Sequence, residues 1–151
     1  MKLAEALSIR KDLQKRIQQL ELRIKSNVKV QEDDEPLEDP IELMKELHSC
    51  LIQLEELIGR INLTNINTKN AEGLSITQLI AKKDTLAMRI GILRNIYSEA
   101  TNILDRYSRT EIRQECVIDV KQLSKQIDDY SARLRKLDME IQSLNFLTEL
   151  V

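Results

Sequence analysis

The stretch VQEDDEPLEDP, residues 30–40, holds six carboxylates: Glu32, Asp33, Asp34, Glu35, Glu38 and Asp39. Oxygen donors at that density suit a hard cation such as calcium. A calcium loop of the EF-hand kind, however, needs acids at alternating positions, a central Gly and a distal Glu. This stretch lacks both the glycine and the spacing, and two prolines stiffen it. Asp39-Pro40-Ile41-Glu42 reads instead as a helix start, with Asp39 as N-cap, proline at N1 and a capping-box acid at N3. Glu38 and Glu42 suit the positive end of that helix. The segment is therefore expected to join two helices, leaving Glu32, Asp33, Asp34 and Glu35 as a solvated turn or as mates for basic residues.

His48 and Cys50 could serve as soft metal ligands, but His48 is the one histidine of the chain. Residues two apart on a helix point to different faces. Zinc wants four ligands, or three and a water, and a di-iron bundle wants Glu-x-x-His twice. No metal and no cofactor are expected. Nucleophilic catalysis lacks a triad pattern, and three isolated glycines cannot build a phosphate-cradling loop. The chain is read as non-enzymatic.

Two charged residues, Arg10 and Lys83, stand where the surrounding pattern asks for apolar ones. In an up-down-up-down bundle each lies about two turns from its helix start. Glu55, Glu56 and Asp138 fall at similar depth from the opposite ends, and Asp84 neighbours Lys83. Arg10, Glu55, Glu56, Lys83, Asp84 and Asp138 are thus expected to share one polar layer. Such a layer fixes helix register at some cost in stability, or holds a small anion or polar ligand between helices.

The elements that would position these groups are four apolar ladders stepping by threes and fours. They run from Leu3 to Ile24, from Met44 to Ile61, from Ile76 to Tyr107 and from Val120 to Leu144. The expected fold is all-α: an antiparallel four-helix bundle with long, coiled-coil-like helices in a single domain, 1–151. Helices are predicted over about 2–27, 40–63, 75–107 and 119–147. Ser75 and Asp119, with Gln78 and Gln122 three residues on, read as further caps. Alternating apolar residues at Val28 and Val30 and at Ile112 to Ile118 suggest a short extended ribbon over about 27–31 and 111–118.

Composition agrees with this picture. Three Gly, two Pro, one Phe and no Trp leave the core to Leu and Ile, and argue against an aromatic-lined pocket. Net charge is only −2. Residues 1–30 nevertheless carry eight basic against three acidic side chains, and residues 31–60 two against ten. A basic first helix beside an acidic second helix suits an antiparallel pair. The basic residues form no single stripe, and no aromatic platform accompanies them, so no nucleic acid is expected. Charges recur through the first sixteen residues and no run reaches membrane length, so neither a secretory signal nor a membrane partner is expected. The chain reads as cytoplasmic with free thiols at Cys50 and Cys116.

The second and third ladders are wide or long enough to leave apolar surface after one bundle closes. A homo-oligomer is the expected remedy. Other partner-facing positions are the Asn-rich segment with Asn62, Asn65 and Asn67, and the segment holding Arg109 and Glu111.

The segments MKLAEAL, RKDLQKRI, VQEDDEPLEDP, RINLTN, AKKD, RYSRTEI and KLDMEIQSLNF occur in order along nearly the whole chain. With the closing TEL they resemble the septicolysin-like family of small bacterial proteins. Phe146 stands where that family carries Trp, and AKKD has lysines where arginine is common there. The resemblance implies a helical protein and no established catalytic residue. The family's name implies a membrane-active cytolysin as the alternative to a structural or interaction protein.

Overall fold

A computed structural model describes residues 1–102 and 114–151 of the chain. Among them are four helices: α1 (Leu3–Asn27), α2 (Pro40–Asn67), α3 (Ile76–Thr101) and α4 (Val120–Leu147). The all-α, four-helix expectation holds. The chain divides into two compact units, one comprising Met1–Ile76 with Ser143–Val151 and the other Thr77–Gln142.

In the first unit α1 and α2 lie antiparallel. Leu20 packs against Leu43 and Cys50 near the connection, with Ile17, Ile24 and Leu47 around them. At the far end Leu3 and Ala6 meet Leu57, Ile61, Ile76 and Leu150. These residues recur at helical spacing on facing sides, so one stripe of each helix is buried. The charge asymmetry is used across the pair: Arg16 bonds Glu46 through Nε at 2.8 Å, and Arg23 bonds Glu38 through Nε at 2.9 Å. Backbone bonds Leu3 N to Thr148 O and Leu150 N to Met1 O, both 2.9 Å, lay the C-terminal residues along the start of α1.

In the second unit Ile90 of α3 packs on Leu123 and Ile127 of α4, with Leu86, Leu93, Tyr130 and Leu134 beside them. The pairing is again antiparallel, since Lys83 meets Asp138 while Ile90 meets Ile127.

The helix starts follow the sequence logic in two places. Asp39 Oδ1 accepts from Ile41 N at 2.8 Å, and Asp119 Oδ1 from Gln122 N at 3.0 Å, each satisfying an orphan donor of the first turn. At α1 the Glu5 carboxylate accepts from Lys2 N at 3.0 Å.

Other boundaries differ from expectation. Helix α2 runs past residue 63 to Asn67, so Asn62, Asn65 and Asn67 lie on a helix and not in a loop. Their poor helix propensity is overridden because Ile61 and Thr64 are buried. The turn that follows is short. Asn70 Oδ1 accepts from Glu72 N and Leu74 N at 3.1 and 2.8 Å, and Gly73 takes φ +82° there, which glycine adopts freely. Helix α3 is described as far as Thr101, and residues 103–113 fall outside the described residues.

The extended ribbon is not found among the described residues of 27–31 and 114–118. Asn27 ends α1, Val28 and Val30 are exposed, and so are Val117 and Ile118. Alternation makes a strand only when a partner strand satisfies its backbone groups. Isolated antiparallel bridges occur elsewhere, Lys2 with Glu149 and Lys69 with Ser75.

Candidate functional site

The acidic stretch is a joint. Asn27, on the last turn of α1, is 8% exposed. Its Nδ2 donates to Arg23 O at 2.8 Å, while its Oδ1 accepts from Glu38 N at 3.0 Å. The Arg23 guanidinium grips both oxygens of Glu38, and that hydrogen bonding holds the Glu38 carboxyl below its ordinary pKa against the opposing effect of desolvation. Glu38 and Asp39 therefore fasten the end of α1 to the start of α2. Glu32, Asp33, Asp34 and Glu35 are exposed, and a turn closed by Asp34 N on Gln31 O at 3.0 Å holds the first three. Asp33 takes φ +69°, a conformation that aspartate tolerates better than most residues. Among the described residues no group of three or more His, Cys, Asp or Glu side chains is placed to hold a metal ion. His48 is exposed and Cys50 buried, as their spacing on a helix requires.

Of the six residues expected in one polar layer, two are paired. Lys83 Nζ donates to Asp138 Oδ1, and Gln142 Nε2 donates to Asp138 Oδ2 at 2.7 Å. The lysine hydrogen bond is the larger cause that lowers the Asp138 pKa, with desolvation opposing it. Both side chains are more than one-third exposed, at 38% and 35%. Arg10, in the first unit, is half-buried and makes no ion pair among the described residues; Glu55, Glu56 and Asp84 are exposed and likewise unpaired. Asn62 and Asn67 are exposed on the last turns of α2 and Asn65 is half-buried. Arg109 and Glu111 lie outside the described residues.

A second charged cluster ties the chain ends of the first unit. Glu149 meets the N-terminal amine at 3.1 Å and Lys2 Nζ at 2.7 Å, which lowers its pKa, chiefly through the Lys2 hydrogen bond. Lys2 Nζ also donates to Leu147 O at 3.0 Å, and Arg60 Nε to Val151 O at 2.7 Å.

One arrangement is only partly legible in the sequence. Over the half-buried Tyr130 ring of α4 lie two guanidiniums, Arg89 at 5.2 Å and Arg133 at 5.5 Å from the centroid. Arg89 Nη1 also donates to the Tyr130 hydroxyl at 3.3 Å. The i,i+3 spacing of Tyr130 and Arg133 was a partial signal; the approach of Arg89 depends on how α3 and α4 register.

The outer faces of α2 and α3 carry many of the exposed apolar side chains; others are Ile9 and Leu22 on α1, Met139, Phe146 and Leu147 on α4, and Leu37 and Val117 in the connections. On α2 the exposed ones are Ile41, Met44, Leu51, Ile52, Leu63 and Ile66. On α3, Met88, Ile92 and Ile96 recur every fourth residue, opposite the buried Leu79 and Ile90. Among the described residues no helix is long and apolar enough to cross a membrane.

Comparison with known proteins agrees with this helical picture and adds no chemistry. The model of a family of unknown function, DUF6847, matches residues 10–150. A crystal structure described as a functionally unknown conserved protein from Corynebacterium diphtheriae is similar, with a TM-score of 0.92 and 35% identity. The alignment covers 100% of this chain and 99% of that one. No curated protein matches the chain. With its four helices and a family match that spans nearly all of its length, the chain belongs to the DUF6847 family.

Proposed function

We propose that this protein is a non-enzymatic helical interaction module that works as a homo-oligomer through the outer faces of α2 and α3. The observation that carries the reading is the doubly apolar character of those two helices. A helix paired on one side ordinarily presents polar residues on the other, and one that is apolar around its circumference is ordinarily covered. Helix α2 keeps Leu43, Leu57 and Ile61 inside yet exposes Ile66 by 57%, while α3 buries Leu79 and Ile90 yet exposes Met88 by 66%. The exposed positions on α2 extend from Ile41 to Ile66, roughly 38 Å along the axis. These apolar clusters, interspersed with polar residues such as the exposed His48 and Glu55, suit an interaction face.

A second copy of the chain is the simplest partner, because symmetric self-association is the commonest way soluble chains cover such a face. Sedimentation velocity across about 1–100 μM tests it. The reading expects a dimer or larger species that Leu51→Glu with Ile66→Glu, or Met88→Glu with Ile92→Glu, converts to a folded monomer. The cytolysin alternative is separated by dye leakage from liposomes, for which this reading expects no release.

A further inference from the structure

We infer that Arg89 and Arg133, mounted on Tyr130, form a seat for a phosphoryl group. Both guanidinium carbons lie over one ring, at 5.2 and 5.5 Å from its centroid. They are therefore no more than about 11 Å apart, close to one Debye length at physiological salt, so each charge feels the other. Among the described residues neither arginine has a carboxylate within 4.0 Å. Asp129, one turn before Arg133 on α4, is exposed and makes no ion pair with it.

The hydrogen-bonding capacity of the pair is almost unused. A guanidinium has five N–H donors and no acceptor. Among the described residues one of the donors on these two side chains is given to a protein atom, from Arg89 Nη1 to the Tyr130 hydroxyl at 3.3 Å. The cation–π contact attracts each guanidinium to the ring without consuming its N–H donors. Two like-charged forks with free donors are complementary to a multiply charged anion with several oxygens, and the arginine fork matches phosphate geometry. An anion between them would also relieve their repulsion. The tyrosine is the platform: its ring supports both cations, and its hydroxyl orients Arg89. The seat lies wholly within Thr77–Gln142, and Arg89 borders the apolar face of α3 beside Met88 and Ile92.

The ligand is assigned by its chemistry as a multiply charged phosphoryl anion, either a single phosphate or a diphosphate. The test is NMR titration of the whole protein with inorganic phosphate and, separately, pyrophosphate, at ionic strength held constant with chloride. The arginine Nε–Hε signals are the readout. The Arg89 and Arg133 signals are expected to move together and saturate. Arg94 and Arg135, exposed arginines of the same unit, are expected to drift without saturating, as weak screened attraction would have them do. Pyrophosphate saturating alone assigns a diphosphate; both ligands saturating assigns a single phosphoryl group. Arg89→Gln and Arg133→Gln should each weaken binding about tenfold. Tyr130→Phe should keep affinity within about threefold, because the ring remains, and Tyr130→Leu should lose most of it. Absence of saturation by either ligand in the unmodified protein, or equal shifts at Arg94 and Arg135, overturns the proposal.

Discussion

The Asn27 side chain accepts a hydrogen bond from the Glu38 amide at 3.0 Å, eleven residues on, while donating back to the carbonyl of Arg23. One amide thus closes the end of α1 and fixes the entry of the chain into α2. Because Asn27 is buried, Asn27→Ala leaves the Glu38 N–H without its partner. A loss of about 1–3 kcal/mol in unfolding free energy is expected, read from urea denaturation, with helical content unchanged.

Acid should weaken the fold through a defined set of carboxylates. Glu38, Asp138 and Glu149 have pKa values below their ordinary 4.5, 3.8 and 4.5, mainly because Arg23, Lys83 and Lys2 hydrogen-bond their ionised forms. A depressed folded-state pKa contributes stability that is fully present above the unfolded value and is lost as pH falls through the folded value. Tm should therefore be level from pH 7 to about 5.5 and fall below about 4.5. Arg23→Gln should make that fall shallower, and an unchanged acid limb in this variant would contradict the assignment.

The Lys83–Asp138 pair contributes little, because both side chains sit more than one-third exposed. Asp138→Asn should leave the urea midpoint nearly unchanged. Arg10 is half-buried in line with Leu3, Ala6 and Leu13 and makes no ion pair among the described residues. Arg10→Leu continues the apolar ladder and should raise stability by up to about 1 kcal/mol in urea melts. A loss on Arg10→Leu would show that its charge has a task in the fold.

What sequence showed and what it concealed divides by the range of the interaction. Four helices follow from ladders whose members are neighbours within one turn, and the caps at Asp39 and Asp119 are formed within three residues. The end of α2 was misplaced because Asn62, Asn65 and Asn67 are weak helix formers, whereas burial of Ile61 and Thr64 decides the matter. The alternation near Val28 and Val117 resembled strands but lacks a ladder partner among the described residues. The polar layer placed six residues by depth alone. Depth cannot supply the rotation that lets Lys83 reach Asp138 while leaving Arg10 without an ion pair among the described residues. The cation–π contact and hydrogen bond of Arg89 with Tyr130 join residues 41 apart, beyond any local signal.

Self-association is the centre of the account, and sedimentation equilibrium with Leu51→Glu/Ile66→Glu and Met88→Glu/Ile92→Glu tests it most directly. The account predicts a mass at least twice 17.6 kDa for the unmodified chain at micromolar concentration. It predicts a fall to the monomer mass in at least one double variant, with the helical circular dichroism signal retained. A clean monomer of the unmodified chain up to about 100 μM would contradict it.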